Sequence, residues 1–100
     1  PEDCKARSNL GNAYYSLSRF PDAVYEYKRA IEIDPNCYSA LYNMGVSFAD
    51  VGLFREAVAW WEKVVKVAPG TDAATNAAEN IKILGRFTGP PIPPRERTSQ

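Results

Sequence analysis

Residues 4–37 and 38–71 are one segment written twice. At an offset of 34 residues Leu10 meets Met44, Gly11 meets Gly45, Tyr14 meets Phe48, Ala23 meets Ala57, Tyr27 meets Trp61 and Pro35 meets Pro69. A self-match at that period marks a stack of small supersecondary units, each unable to bury its own apolar face without a neighbour. It predicts a solenoid of helix pairs, a scaffold suited to holding another molecule.

The apolar pattern gives the helices. Ala6, Leu10, Ala13, Tyr14 and Leu17 recur at helical spacing, as do Ala23, Val24, Tyr27, Ala30 and Ile31. The second copy repeats both stripes, in Leu41, Met44, Gly45, Phe48 and Val51, then in Ala57, Val58, Trp61, Val64 and Val65. Pro35 and Pro69 follow the second helix of each copy, where a residue without N–H cannot continue the ladder. Gly11 and Gly45 fall inside helices, at a cost of about 1 kcal/mol against alanine. The missing Cβ lets the aromatic of the facing helix, Tyr27 or Trp61, lie against bare backbone. Gly52 suits a left-handed residue in the second intra-repeat turn. Its counterpart is Ser18, which either bears a steric cost there or takes a different turn.

Thr71 is placed to cap a fifth helix running to about Leu84 and ended by Gly85, with Ala74, Ala77, Ala78, Ile81 and Leu84 as its apolar stripe. The reading is therefore an all-α fold of two helix-turn-helix repeats plus a C-terminal capping helix over 71–85. Residues 1–85 form the repeat domain, and 86–100 form a proline-rich extended tail. The run Pro90-Pro91-Ile92-Pro93-Pro94-Arg95 reads as a polyproline linker and also fits a short ligand for aromatic-lined polyproline-binding domains.

Charge and chemistry remove several function classes. Twelve basic and twelve acidic side chains cancel, leaving no broad footprint for nucleic acid or an anionic membrane. Apolar runs such as Ala57 to Trp61 fall far short of the roughly 20 residues of a spanning helix. The chain has no histidine, which removes His-based acid and base work, catalytic triads and most zinc sites. No phosphate-binding loop is present. The expectation is no enzyme activity, no metal and no cofactor. The opening Pro1-Glu2-Asp3, without an initiator Met or an apolar leader, reads as a processed or excised fragment. Cys4 and Cys37 stand near matching points of successive repeats, whose helices pack about 8–10 Å apart. That exceeds the roughly 7 Å Cα limit for a disulfide. Two reduced thiols follow; they favour the cytoplasm, while the sequence otherwise leaves the location open.

Taken together, Leu10-Gly11, Tyr14, Ala23, Tyr27, Ala30 and Pro35, followed by Met44-Gly45, Phe48, Ala57, Trp61, Val64 and Pro69, resemble the tetratricopeptide repeat pattern. Arg7 departs from it where a large apolar residue is usual, and Val64 where a small one is. The resemblance implies a right-handed superhelix with a concave groove lined by the first helix of each pair. That face would carry Lys5, Ser8, Asn9, Asn12, Tyr15 and Ser16, then Ser39, Tyr42, Asn43, Val46, Ala49 and Asp50. The cap would add Ala73, Asn76, Ala77, Asn80 and Ile83.

Asparagine dominates this surface. One Asn side chain carries both a donor and an acceptor, so it can pair with a peptide unit without reading the side chain. The candidate peptide-binding residues are Asn9, Asn12, Tyr15, Tyr42, Asn43, Asn76 and Asn80. Solubility or helix-to-helix bonding is the plainer use of the same asparagines. A branch of the family grips acidic chaperone tails with cations, but Ser8, Ala73 and Ala77 occupy the cation positions here, so that partner class is not expected. Trp61 matches core Tyr27, whereas Trp60 matches Glu26 and is a candidate contact on the convex side. The leading expectation is a protein-interaction module for an extended, largely uncharged peptide. The alternatives are a scaffold or homo-oligomer that stacks through the uncovered face near Ala6 and Ala13, or a docking domain cut from a larger protein or enzyme.

Overall fold

The computed structural model describes residues 3–88. The proline-rich stretch beyond Thr88 lies outside them. The described chain forms five helices: α1 (Cys4–Ser16), α2 (Phe20–Ile33), α3 (Tyr38–Asp50), α4 (Phe54–Val67) and α5 (Asp72–Thr88). Helices α1 with α2, and α3 with α4, make antiparallel pairs, and α5 lies against α4 and α3. None is long and apolar enough to cross a membrane.

Local chemistry sets the ends. The Asp3 carboxylate accepts from Lys5 N at 2.9 Å and caps α1. Thr71 Oγ1 accepts from Ala74 N at 3.1 Å at the start of α5. The two intra-repeat turns are built alike: Ser18 N donates to Tyr15 O and Arg19 N to Tyr14 O, as Gly52 N donates to Ala49 O and Leu53 N to Phe48 O. Ser18 therefore takes the left-handed conformation at φ 61°, matching Gly52 at φ 85°. At Gly85 the expectation differs from the structure. A glycine ends a helix only where it turns left-handed, and Gly85 is not among the positive-φ residues. Helix α5 runs through it to Thr88.

The core is continuous across the pairs. Ala23, Tyr27 and Met44 cluster between the first and second repeats. Leu41, Ala57, Trp61 and Val64 meet Ala74 and Ala77 of α5. A Cβ on Gly11 would stand 2.5 Å from Tyr27 Cε1, and one on Gly45 2.6 Å from Trp61 Cδ1, so both aromatics do rest on bare helix backbone. Trp60 is half-buried, with its ring stacked on Phe48 at a centroid distance of 6.4 Å and Lys63 Nζ 4.6 Å from its centre.

The cysteines overturn an expectation. Cys4 and Cys37 form a disulfide, with their Cα atoms 6.2 Å apart. The separation of 8–10 Å holds between helix axes, whereas each Cα stands about 2.3 Å off its axis, so facing Cα atoms come closer than the axes. Cys37 packs with Ala30 and Ala40, and Cys4 lies against that cluster. The cytoplasmic expectation loses its basis, since it rested on free thiols.

Candidate functional site

Two cavities open on the face shared by α1, α3 and α5, one on each side of Val46. The first, of about 230 Å³, lies between α1 and α3 and is lined by Asn12, Tyr15, Ser16, Tyr27, Asn43 and Val46. The second, also of about 230 Å³, lies between α3 and α5 against Val46, Ala49, Asp50, Trp61, Asn80, Ile83 and Leu84.

Hydrogen bonds fix how the asparagines face the first cavity. The Tyr27 hydroxyl donates to Asn12 Oδ1 at 2.6 Å, which leaves Asn12 Nδ2 as a donor. Asn43 Nδ2 donates to Ser8 Oγ at 3.3 Å, which leaves Asn43 Oδ1 as an acceptor. One cavity thus offers one amide donor and one amide acceptor. Burial pushes the Tyr27 pKa up to about 12, so its O–H stays in place to orient Asn12 well above the physiological range.

The second cavity has a similar strut. Asn80 Nδ2 donates to Tyr42 Oη at 3.1 Å, and Trp61 Nε1 donates to Tyr42 O at 3.1 Å. Tyr42 positions Asn80, whose Oδ1 is left to accept. Tyr15 packs edge-on against Phe20 with ring centroids 5.0 Å apart, and its buried hydroxyl has no partner.

The structure brings Asn12, Tyr15 and Asn43 together in one cavity and places Asn80 in the other. Asn9 and Asn76 are exposed on α1 and α5 and are not among the residues lining either cavity. Ser8, expected on the open face, is fully buried between α1 and α3 under Asn43. Its side chain is small enough to sit in the helix contact and its hydroxyl finds a partner there. Tyr27 and Trp61 line the cavities from the core, a role the repeat alignment does not reveal. The available signal is that a buried aromatic with a polar tip requires a hydrogen-bond partner.

The family model described as TPR repeat matches residues 11–52, which span α1 to α3. The chain carries tetratricopeptide repeats. Its repeats are 35% identical over 68 residues to stress-induced-phosphoprotein 1 of Caenorhabditis elegans, covering 68% of this chain and 21% of that protein. They are 35% identical over 57 residues to the peroxisomal targeting signal receptor of Eremothecium gossypii, covering 57% of this chain and 10% of that one. The chain therefore spans about a fifth or less of these relatives. The crystal structure of MamA superposes with a TM-score of 0.78 over 87% of this chain and 49% of that one, at 23% identity, a likeness of fold. In this tetratricopeptide array the first cavity opens between the first helices α1 and α3 and the second between α3 and the cap α5, the face from which the resemblance implies binding.

Proposed function

We propose that the array binds an extended peptide segment of a partner protein across α1, α3 and α5. The observation that carries this reading is the complementary pair in the first cavity: Asn12 Nδ2 free to donate and Asn43 Oδ1 free to accept, each locked by an internal bond to its other amide atom. A peptide unit presents one C=O and one N–H, so the pair fits backbone whatever the side chains. Tyr15 gives the segment an aromatic wall and Asn80, held by Tyr42, a further acceptor. Asn9 and Asn76 extend the polar surface on the outer helices. That one relative is named a receptor for a targeting signal supports a binding role. The test is selection from a displayed library of dodecapeptides, followed by titration of the selected peptides. Asn12→Ala and Asn43→Ala should each weaken binding threefold to tenfold, about the worth of one hydrogen bond, with helicity unchanged. Unaltered affinity in both variants would refute the reading.

A second reading, stacking through the leading face, has its own observation. Ala40 and Met44 of α3 are fully buried against the first repeat, while their counterparts Ala6 and Leu10 of α1 are exposed, Leu10 at 41%. Sedimentation equilibrium decides it, since a concentration-independent monomer excludes stacking between copies.

A further inference from the structure

We infer that the bound segment carries an aliphatic side chain in the second cavity, with a lysine or arginine within two residues of it that pairs with Asp50. This rests on the proposed peptide reading and specifies its ligand. The second cavity is walled by Val46, Ala49, Trp61, Ile83 and Leu84, a lining that suits a branched aliphatic group. Ile83 is half exposed there, at 51%.

Asp50 is the charged residue among those lining the two cavities. It is exposed and has no ion-pair or hydrogen-bond partner among the described residues. It is also the last residue of α3, a helix with no basic residue in its final turn. The C-terminal end of a helix carries partial negative charge, so a carboxylate there is locally unfavourable. A cation at that point satisfies the carboxylate and the helix end together. A residue that breaks a local rule without compensation inside a binding face marks a site of function. An acidic segment would instead be repelled.

The spacing follows from the helices. The cavities flank α3 and share Val46, so their centres lie about one helix separation apart, roughly 8–10 Å. An extended chain advances about 3.3 Å per residue. The N–H accepted by Asn43 Oδ1 therefore belongs to a residue three positions from the aliphatic one.

The probes are acetylated and amidated nonapeptides of alanine and serine carrying one leucine and one lysine, titrated against the full chain at low and moderate salt. We expect Leu→Ser in the peptide to lower affinity about tenfold, and Lys→Glu to do the same at low salt. N-methylation should abolish binding only at the amide three residues from leucine. Asp50→Asn should weaken binding about threefold while the melting temperature stays level or rises, a combination a structural role would not produce. Peptides that bind, and lose affinity in Asn43→Ala, yet ignore leucine, lysine and Asp50→Asn overturn this inference alone. If no nonapeptide binds, this inference and the peptide reading both fall.

Discussion

The Tyr27 hydroxyl donates to Asn12 Oδ1 at 2.6 Å, and the same ring lies over Gly11. One side chain thus fills the contact between α1 and α2 and sets the amide that faces the first cavity. Core and binding face are coupled through it.

Tyr27→Phe keeps the ring and removes that bond. Stability should fall by about 1 kcal/mol, and peptide affinity should fall as Asn12 loses its fixed orientation. The pH dependence has a definite sign. Burial raises the folded pKa to about 12, against an ordinary tyrosine value of 10.0. Below pH 10 both states hold the proton and the contribution is fully present. Between pH 10 and 12 the unfolded chain loses its proton first, so stability drops, by on the order of 2–3 kcal/mol in all. Urea unfolding at pH 8, 10 and 11.5 should show that added decline in the parent protein and not in Tyr27→Phe.

Gly45→Ala should destabilise, although alanine is the better helix former by about 1 kcal/mol. The new Cβ would meet the Trp61 ring, 2.6 Å from Cδ1 and 2.7 Å from Cε2. Moving that ring disturbs the bond from Trp61 Nε1 to Tyr42 O and with it the strut under Asn80. Overpacking of this kind costs about 1–3 kcal/mol. A lower urea midpoint is expected, and a raised one would show that the ring shifts freely.

Reduction of the disulfide between Cys4 and Cys37 should lower stability by about 3–4 kcal/mol, the chain-entropy worth of a loop this long. The bridge ties the start of α1 to the residue just before α3, the two helices that flank the first cavity. Peptide affinity should therefore fall with it. Thermal unfolding with and without a thiol reductant checks the first effect and titration the second. Identical melting temperatures would show that packing alone fixes α1.

The helix pairs are legible in the sequence because apolar spacing, Pro35, Pro69 and the paired glycines all agree. The cap by Thr71 is legible for the same reason, as one side chain at one helix start. Interactions between repeats are less legible. The disulfide depends on the few ångströms by which facing Cα atoms approach more closely than helix axes, and no spacing rule resolves that. Ser8 and Asn43 are 35 residues apart, so their bond depends on how α1 is rotated against α3. The asparagines can be read as candidates by type and face. Which amide atom of each stays free depends on Tyr27, Ser8 and Tyr42, contacts that exist only after packing.

Tyr15→Phe should leave the fold as stable or raise its stability by up to about 1 kcal/mol, because it deletes a buried hydroxyl that has no partner. A urea series on the two proteins is sufficient. A clear loss of stability would mean that the hydroxyl is bonded in solution, to water or to a ligand.

Whether Asn12 and Asn43 hold peptide backbone is read from the side-chain amide resonances of a 15N-labelled chain during titration with a selected peptide. Large saturable shifts are expected for the Asn12 and Asn43 amides, with the Trp60 indole on α4 unmoved. Shifts centred on Trp60 and Lys63, with Asn12 and Asn43 unchanged, would contradict it.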